Sequence, residues 1–406
     1  MELKSGYKKT EVGVIPEVWE VHAINQVFQF KQGVQSPVGE QAHVERQGYK
    51  RFIRIIDLTD PSVPWRFIAD PGTVHHVSPK DLFMVRYGSP GLLGFGHEGV
   101  IANNLFQLIP RKKIVAEFYF QYLSSRRSDI ADISGSSTMP AVNFSTLSRL
   151  KLIYPSPSEQ GAIAEALSDV DELLRGLERL IAKKQNLKQA AMQQLLTAQI
   201  RLPGFHEEWQ VKRLGDIADI LKGSALSKTL TTSSGVRRCI LYGELFTTYG
   251  RVISDVFGRT NSSEGCPSIY GDVLMPASTT TTGIDLATAS ALLLDEVALG
   301  GDIIIIRQKG SAYDSVFLAN YLTQARRREI AELTQGITIH HLYGKDLKTV
   351  SLQIPDLPEQ TAIAKVLTEM DAELAALEQR REKTRALKQA MMQELLTGRI
   401  RLVGKN

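Results

Sequence analysis

The sequence is poor in the features that mark secreted and membrane proteins. Its 406 residues include only two cysteines, Cys239 and Cys266, and no run of about 18 apolar residues. Two cysteines cannot build a disulfide framework, so each is expected to be a small core residue. The N-terminus also lacks an apolar signal core, and these absences together predict a cytoplasmic protein with no membrane partner.

Charge and catalytic motifs are equally limited. The formal net charge is +4, too small for a chain that coats nucleic acid by itself, while 43% hydrophobic residues suffice for two or three domains. There is no Gly-x-x-x-x-Gly-Lys-[Ser/Thr] loop and no Asn-Pro-Pro-aromatic or Asp-Pro-Pro-aromatic run. The pairs His75-His76 and His340-His341 have no cysteine nearby, and adjacent strand residues face opposite ways. No catalytic residue, metal ligand or cofactor is therefore predicted on this chain.

The most informative feature is a segment that occurs twice. Glu159-Gln160 through Arg201 matches Glu359-Gln360 through Arg401 without a gap, at a constant offset of 200 residues. A match of about 40 residues indicates an internal duplication. Each copy follows a proline-rich stop and carries an acidic residue in its first turn, which favours a helix N-terminus.

Each copy is predicted to be one long helix. Apolar residues, including Leu173 and Leu180, follow one another at steps of three and four, close to a 3.5-residue period. A helix of about 38 residues would be about 57 Å long, and its apolar stripe needs a partner, most simply the other helix. The predicted helix–helix positions are Ile163, Val170, Leu177, Leu187, Ile363, Met370, Leu377 and Leu387.

Two polar residues, Lys184 and Thr384, interrupt this seam. One interpretation is that their polar ends are solvated at the edge of the seam. The other is that they fix the register and direction of the helix pair at some cost in stability. The sequence leaves both interpretations open.

The duplication extends to whole halves of the chain. A Pro-x-x-Trp segment ending at Trp19 has a counterpart at Trp209. The end of the second copy matches the residues that lead from the first copy into the second half, so the repeat is circular, which predicts neighbouring termini. Short strands and helices intermix between these segments, so the fold class is α+β with two globular domains. The predicted domains are residues 1–157, a central helix 158–200, residues 201–357 and a C-terminal helix 358–406. The predicted inner elements include strands at 82–85 and 273–275 and helices at 117–123 and 316–322.

Basic and hydroxyl side chains near the predicted strands could bind nucleic acid. Arginine pairs bidentately with guanine, and hydroxyls in small-residue loops can approach base edges or phosphates. The alternative is that these are ordinary surface charges, and Arg126, Arg127, Arg326 and Arg327 could simply favour the end of a helix. The candidate DNA-binding residues are Lys50, Arg51, Arg54, Arg86, Tyr87, Ser89, Arg237, Arg238, Tyr242, Ser278 and Thr279.

The whole arrangement resembles the specificity (S) subunit of type I restriction–modification systems. The resemblance rests on Glu159-Gln160 and Glu359-Gln360 after proline, on the Leu-Leu-Thr helix ends with their Ile-Arg-Leu followers, and on Pro16 to Trp19. It implies two target-recognition domains, each reading one half of a bipartite asymmetric site in double-stranded DNA. The helices would form an antiparallel coiled coil with pseudo-two-fold symmetry that sets the gap and docks two methyltransferase subunits.

The resemblance also implies a non-catalytic chain. S-adenosylmethionine would be bound by the methyltransferase partner, and restriction subunits would join when present. A different hypothesis is a coiled-coil structural adaptor whose two heads bind partners other than DNA. DNA binding should weaken steeply with salt, whereas adaptor binding should hardly change. A self-contained methyltransferase is disfavoured by the missing motifs.

Overall fold

The computed structural model describes residues 5–133 and 141–402. The chain divides into two compact units, which are called unit 1 (residues 1–178 and 379–406) and unit 2 (residues 179–378). Both mix helices and strands, as the sequence predicts. No helix in the described ranges has the length and apolar character needed to cross a membrane.

Unit 1 contains twelve described strands and five short helices. Its strands are β1 Tyr7–Thr10, β2 Gly13–Pro16, β3 Glu20–Ala23, β4 Phe28–Gln32, β5 Tyr49–Ile53, β6 Arg66–Ala69, β7 His76–Val77, β8 Leu82–Val85, β9 Leu93–Gly94, β10 Gly99–Ile101, β11 Leu105–Pro110 and β12 Lys151–Tyr154. Its helices are α1 Ile24–Val27, α2 Ile56–Thr59, α3 Ala116–Ser125, α4 Arg127–Ile133 and α5 Phe144–Leu147. The long helix α6, Pro157–Leu195, follows.

Unit 2 repeats this order with different loops. Its strands are β13 Gln210–Arg213, β14 Ala218–Lys222, β15 Arg237–Ile240, β16 Val252–Ile253, β17 Arg259–Thr260, β18 Cys266–Pro267, β19 Asp272–Pro276, β20 Ser278–Thr279, β21 Ser290–Leu292, β22 Ala298–Leu299, β23 Ile303–Gln308, β24 His340–His341 and β25 Ser351–Ile354. Its helices are α7 Leu214–Ile217, α8 Glu244–Thr247, α9 Ser315–Gln324, α10 Arg327–Glu332 and α11 Gly344–Leu347. The second long helix is α12, Leu357–Leu395.

The two units share their sheet topology. Unit 1 has a sheet of order β4-β11-β8-β9 and a second of order β6-β5-β10-β7, and unit 2 has the corresponding orders β14-β23-β19-β21-β16 and β17-β15-β22-β18. In both units the strand that directly follows Trp19 or Trp209 pairs with the last strand before the long helix, β3 with β12 and β13 with β25. The predicted inner strands and helices are confirmed as β8, β19, α3 and α9. The sequence repeat is therefore also a structural repeat.

Each unit has a large core to which the long helices contribute. In unit 1, Phe28 and Tyr119 pack in one cluster with Ile163 of α6 and Leu395 of α12. In unit 2, the corresponding cluster contains Met192 and Leu195 of α6, Ile363 of α12, and Phe317 and Tyr321 of α9. The apolar residues at the helix ends thus stabilise the globular part of each unit.

The duplicated motifs meet at one buried carboxylate in each unit. Glu159 is 2% exposed and accepts a 2.9 Å hydrogen bond from Trp19 Nε1 and a two-pronged contact from Arg401. In unit 2, Glu359 accepts from Trp209 Nε1 and from Arg201 in the same way. These contacts, called the Trp-Glu-Arg clamp below, join the segment before β3 or β13, the start of one long helix and the chain that leaves the other. The Pro-x-x-Trp, Glu-Gln and Ile-Arg-Leu motifs therefore have one shared structural role.

The glutamine beside each clamp connects the start of the long helix to a neighbouring loop by hydrogen bonds. Gln160 Nε2 donates to the Pro155 carbonyl at 2.8 Å, and its Oε1 accepts from the Val115 amide at 2.9 Å. Gln360 makes the same two contacts in unit 2, to Pro355 and Asp314. Because both amide groups are buried and bonded, each helix start is fixed to the neighbouring loop.

The apolar stripe of the long helices differs from the predicted seam. Leu187 and Leu387 are 46% and 55% exposed, and Leu173 and Leu180 are exposed as well, which corrects the prediction for these positions. In α6 of unit 2 Ile181 is buried instead, and Leu187 lies about 120° around the helix from it. A straight helix drifts by about 20° per heptad from a 3.5-residue repeat, so the predicted stripe leaves the buried face.

The other predicted seam positions are buried or half-buried. Ile163, Leu177 and Ile363 are at most 4% exposed. Val170, Met370 and Leu377 are half-buried.

Contacts between α6 and α12 are found within each unit. In unit 2, Lys184 Nζ lies 2.6 Å from Glu373, and Lys188 contacts Asp371. In unit 1, Lys388 Nζ lies 2.7 Å from Asp171. Residue numbers fall on one helix as they rise on the other, so the segments within a unit run in opposite directions.

The polar seam residues are both held in place. Lys184 makes the ion pair to Glu373, and Thr384, only 8% exposed, donates to the Arg380 carbonyl at 2.9 Å.

We expect Leu177→Ala to lower the free energy of unfolding by about 2–5 kcal/mol, because the side chain is 4% exposed and its loss leaves a cavity. Leu173→Ala is the matched control on the same helix, where the leucine is 42% exposed and the change should stay within about 0.5 kcal/mol. Urea denaturation of the isolated chain measures both. Equal effects for the two variants would contradict the assignment of the buried face.

The residues next to the termini lie close together. The Tyr7 hydroxyl donates to the Gly398 carbonyl at 2.9 Å and to the Arg399 carbonyl at 3.2 Å. This agrees with the prediction of neighbouring termini, although residues 1–4 and 403–406 themselves lie outside the described residues.

Candidate nucleic-acid interface

The predicted basic strands β5 and β15 occupy equivalent places in their units. Each lies between an antiparallel and a parallel neighbour, with Phe52 opposite Val100 and Cys239 opposite Ala298. This register makes Arg51 equivalent to Arg238, and it makes Lys50 equivalent to Arg237. The backbone amide that follows each strand donates to a carboxylate three residues further on. Arg54 N donates to Asp57, and Leu241 N donates to Glu244.

The candidate cations on these strands differ in what they already bind. Arg54 makes a two-pronged ion pair with Asp57 at 2.9 Å and also donates to the Pro64 carbonyl. Arg237 donates to the carbonyls of Ser262 and Glu264. The guanidinium groups of both residues are thus partly used within their own loops.

Three candidates are more available to a ligand. Lys50 and Arg238 are exposed, and their side chains make no hydrogen bond or ion pair to another described residue. Arg51 stacks 3.9 Å above the Trp65 ring, and its Nε is buried without a partner. Burial lowers the pKa of the Arg51 guanidinium, an effect that Asp57 opposes and Arg54 reinforces. Arg51 is therefore held flat against an aromatic ring while part of its donor capacity is unused.

The loops after β8 and β19 begin at the same point of the fold. The Val142 amide bonds the Arg86 carbonyl, and the Leu342 amide bonds the Ala277 carbonyl in the same position of unit 2. Tyr87 then pairs with Ala141, whereas β20 pairs with β24. The loops differ beyond this point, because unit 2 inserts a 3-10 turn at Gly283–Leu286.

The loop candidates of unit 1 are largely committed to internal contacts. Arg86 donates to the Gln32 side chain and to the Val142 carbonyl, and it lies 5.0 Å from the Phe144 ring centroid. Tyr87 and Ser89 are half-buried beside it. Any contact of Arg86 with DNA would require these bonds to rearrange.

Three unit 2 candidates line one cavity. Tyr242, Ser278 and Thr279 surround a cavity of about 960 Å³ together with Arg251 and Arg327. A neighbouring cavity of about 1050 Å³ shares Tyr242 as a wall. The structure therefore brings the loop candidates together, while Arg237 and Arg238 are not among the residues that line either cavity.

Two exposed aromatic residues, Trp65 and Phe257, were not predicted from the sequence. Arg51 lies opposite Phe67 and Arg238 opposite Arg259, so Trp65 and Phe257 each stand two residues before equivalent positions. They are 52% and 69% exposed. The available signal was an aromatic residue just before a short strand that pairs with a basic one.

No site for metal or thiol chemistry is found among residues 5–133 and 141–402. No group of three or more His, Cys, Asp or Glu side chains there is placed to hold a metal ion. Cys239 is buried, which raises the pKa of its thiol, and Cys266 is half-buried. His76 Nε2 donates to the Asp70 carboxylate at 2.7 Å, and His340 and His341 form strand β24.

Comparison with known proteins identifies the class that this duplicated fold defines. A model of the family described as the type I restriction modification DNA specificity domain matches residues 16–189 and 206–386, one match for each half of the chain. The chain belongs to this family of DNA specificity domains.

Relatives and solved structures match almost the whole chain. The chain is 23% identical over 413 residues to the type I restriction enzyme MjaVIII specificity subunit of Methanocaldococcus jannaschii, covering 97% of this chain and 95% of the relative. Among solved structures, the S subunit of a type I restriction-modification system from M. genitalium matches with a TM-score of 0.61 at 15% identity, covering 97% and 98% of the two chains. A chain from a structure of type I R-M complex assembly and conformational transition matches with a TM-score of 0.57 at 17% identity, covering 95% and 99%. At these identities the structures establish the fold.

Proposed function

We propose that this chain is the DNA-specificity subunit of a type I restriction–modification complex. The observation that supports this proposal most strongly is the structural repeat. One arrangement of strands, helices and Trp-Glu-Arg clamps occurs twice, and the two copies have different loops and different candidate side chains. Two domains that share a fold but differ in their surfaces, residues 1–157 and 201–357, are suited to reading different DNA sequences. Each would read one half of an asymmetric bipartite site in double-stranded DNA.

In this proposal the first recognition domain contacts DNA through Lys50, Arg51, Arg54, Arg86, Tyr87 and Ser89. The second uses Arg237, Arg238, Tyr242, Ser278 and Thr279. Trp65 and Phe257 join these sets, because a basic residue beside an exposed aromatic ring is an arrangement that nucleic acid can engage through phosphate contacts and apolar contact with bases. Lys50, Arg51 and Arg238 are the favoured contacts, since their donors are not consumed by internal ion pairs.

The long helices, residues 158–200 and 358–406, would form an antiparallel coiled coil that sets the gap between the half-sites. The opposite direction of α6 and α12 within each unit supports this arrangement. The exposed leucines Leu173, Leu180, Leu187 and Leu387 support a second role, docking of two methyltransferase subunits, because such side chains on a helix are favoured at interfaces. S-adenosylmethionine and catalysis would reside on those partners, with restriction subunits added when present.

The test is modified-base sequencing of DNA from cells that express this chain with its methyltransferase partner, against cells that lack the chain. We expect one new methylated motif made of two unlike halves separated by unspecified bases. A partner that is present and bound but yields no new motif would contradict the proposal. If the purified complex also bound DNA with little dependence on salt, the structural-adaptor hypothesis would gain support.

A further inference from the structure

The cavity of unit 2 lined by Tyr242, Ser278, Thr279, Arg251 and Arg327 is called the Arg251 cavity below. Among the described residues, no ion pair joins its two arginines to its two carboxylates. Two carboxylates, Asp285 and Asp302, line the cavity, and both already accept hydrogen bonds from hydroxyl groups. Asp285 accepts hydrogen bonds from the hydroxyls of Thr281 and Thr282, which lower its pKa. Asp302 accepts from Ser278 and lies 3.5 Å from Lys222 Nζ.

The two arginines of the Arg251 cavity have no such partners. Arg251 is half-buried and makes no side-chain hydrogen bond or ion pair to a described residue, and its Nη1 is buried without a partner. Burial lowers the pKa of this guanidinium, Asp371 opposes that effect and Arg327 adds to it. Arg327 is exposed and likewise makes no hydrogen bond or ion pair within the described ranges.

An unpaired guanidinium in a partly buried position is costly. Buried polar groups are nearly always hydrogen-bonded, and leaving an ionised donor unmet costs more than leaving a neutral one unmet. Arg251, whose charged form is disfavoured by burial and by Arg327, lies beside carboxylates that already accept hydrogen bonds from other groups, so an added anion would stabilise it. The hydroxyl of Thr280, which also lines the cavity, adds a donor of the kind that binds phosphate oxygens.

We propose that the Arg251 cavity binds a phosphate group, and that in the assembled complex this is a backbone phosphodiester of the DNA next to the half-site read by unit 2. This proposal rests on the proposed function. The planar fork of Arg251 matches two phosphate oxygens, and Arg327 supplies a second positive charge at the opening. Such a contact orients the domain on the duplex without reading its sequence.

The experiment measures DNA affinity of the full chain assembled with its methyltransferase partner, across a range of salt concentrations. The probes are a duplex that carries the methylated motif and one that does not. Arg251→Met should weaken binding to both by a similar factor, about 10- to 100-fold for a charge-assisted hydrogen bond, and should reduce the slope of log affinity against log salt by about one. Arg251→Lys, which keeps the charge but loses the fork, should fall between.

Two further variants provide a second probe of the cavity and a matched control. Arg327→Met removes an exposed side chain, so it should reduce the salt slope without affecting folding. Arg328→Met is the matched control, because Arg328 is exposed on the same helix but does not line the Arg251 cavity. We expect it to leave both the affinity and the salt slope close to those of the unmodified chain.

Several outcomes would overturn the proposal. One is an unmodified complex that binds its motif while Arg251→Met and Arg327→Met leave affinity and salt slope unchanged. Another is a change confined to base discrimination, which would make Arg251 a base contact. Thermal stabilisation of the chain by inorganic phosphate that Arg251→Met abolishes, with unchanged DNA binding, would assign the cavity to free phosphate. By contrast, absence of sequence-dependent binding by the unmodified complex would contradict the proposed function itself.

Discussion

Exchange of residues 20–157 for the same segment of another family member will change one half of the methylated motif and leave the other half unchanged. The exchanged segment contains both β3 and β12, which pair with each other, so no strand pair is divided. Trp19, Glu159 and Arg401 stay in place, so the Trp-Glu-Arg clamp of unit 1 is retained. Modified-base sequencing of cells that express the hybrid reads both halves at once.

The effect should be complete. Each mismatched base pair costs about 1–3 kcal/mol, so a half-site that differs at several positions removes methylation at the old motif. The reciprocal control replaces residues 210–357, which contains the pair β13 and β25 and retains Trp209 and Glu359. That hybrid should change only the other half. A hybrid in which both halves change would show that the two domains do not read DNA independently.

Glu159→Ala should be among the most destabilising single substitutions in unit 1. The carboxylate is 2% exposed and holds Arg401, whose side chain is 27% exposed, together with the indole N–H of the buried Trp19. Its removal leaves an indole donor and a partly buried guanidinium without their acceptor. We expect a loss of about 2–4 kcal/mol in the free energy of unfolding. This is somewhat below the roughly 3–5 kcal/mol of a fully buried ion pair, because the Arg401 side chain retains some solvent.

The measurement is chemical denaturation of the chain, followed by far-ultraviolet circular dichroism. Glu394→Ala is the matched control, since Glu394 pairs with Arg399 at 3.3 Å on the surface of the same unit, and such pairs contribute little. Trp19→Phe removes the indole N–H together with part of a ring system that is 1% exposed, so its cost combines the lost hydrogen bond with a cavity. If Glu159→Ala were no more destabilising than Glu394→Ala, the clamp would not be what fixes the helix starts.

Much of the fold could be predicted because it depends on local sequence patterns. The offset between Gln160 and Gln360 predicted the repeat, and apolar periodicity predicted α6 and α12. Short β-branched and aromatic runs predicted β8 and β19. The sequence also pointed to neighbouring termini, which the contact from Tyr7 to Gly398 supports.

The prediction was wrong where a small error in period accumulates. Steps of three and four residues fit both a 3.5-residue and a 3.6-residue repeat over a few turns, but they diverge over a long helix. Leu187 and Leu387 were therefore placed on the seam, whereas both are exposed and Ile181 is buried near Leu187 on α6. Glu159 was interpreted as an acidic residue that favours a helix start. Its role as a buried acceptor for residues far along the chain needed the tertiary structure.

The sequence by itself determined the duplication, the alternation of globular and helical segments and the family, because each depends on residues close together or on matching segments of one chain. The tertiary structure decided which charges are already paired. Arg54 and Arg51 are near neighbours in sequence, yet the first is bound to Asp57 while the second lies on Trp65 with an unmet donor. It also brought Arg251, Arg327 and the threonines after β19 around one cavity. Partners of this kind depend on strand register and loop closure, which place residues far apart in the chain side by side.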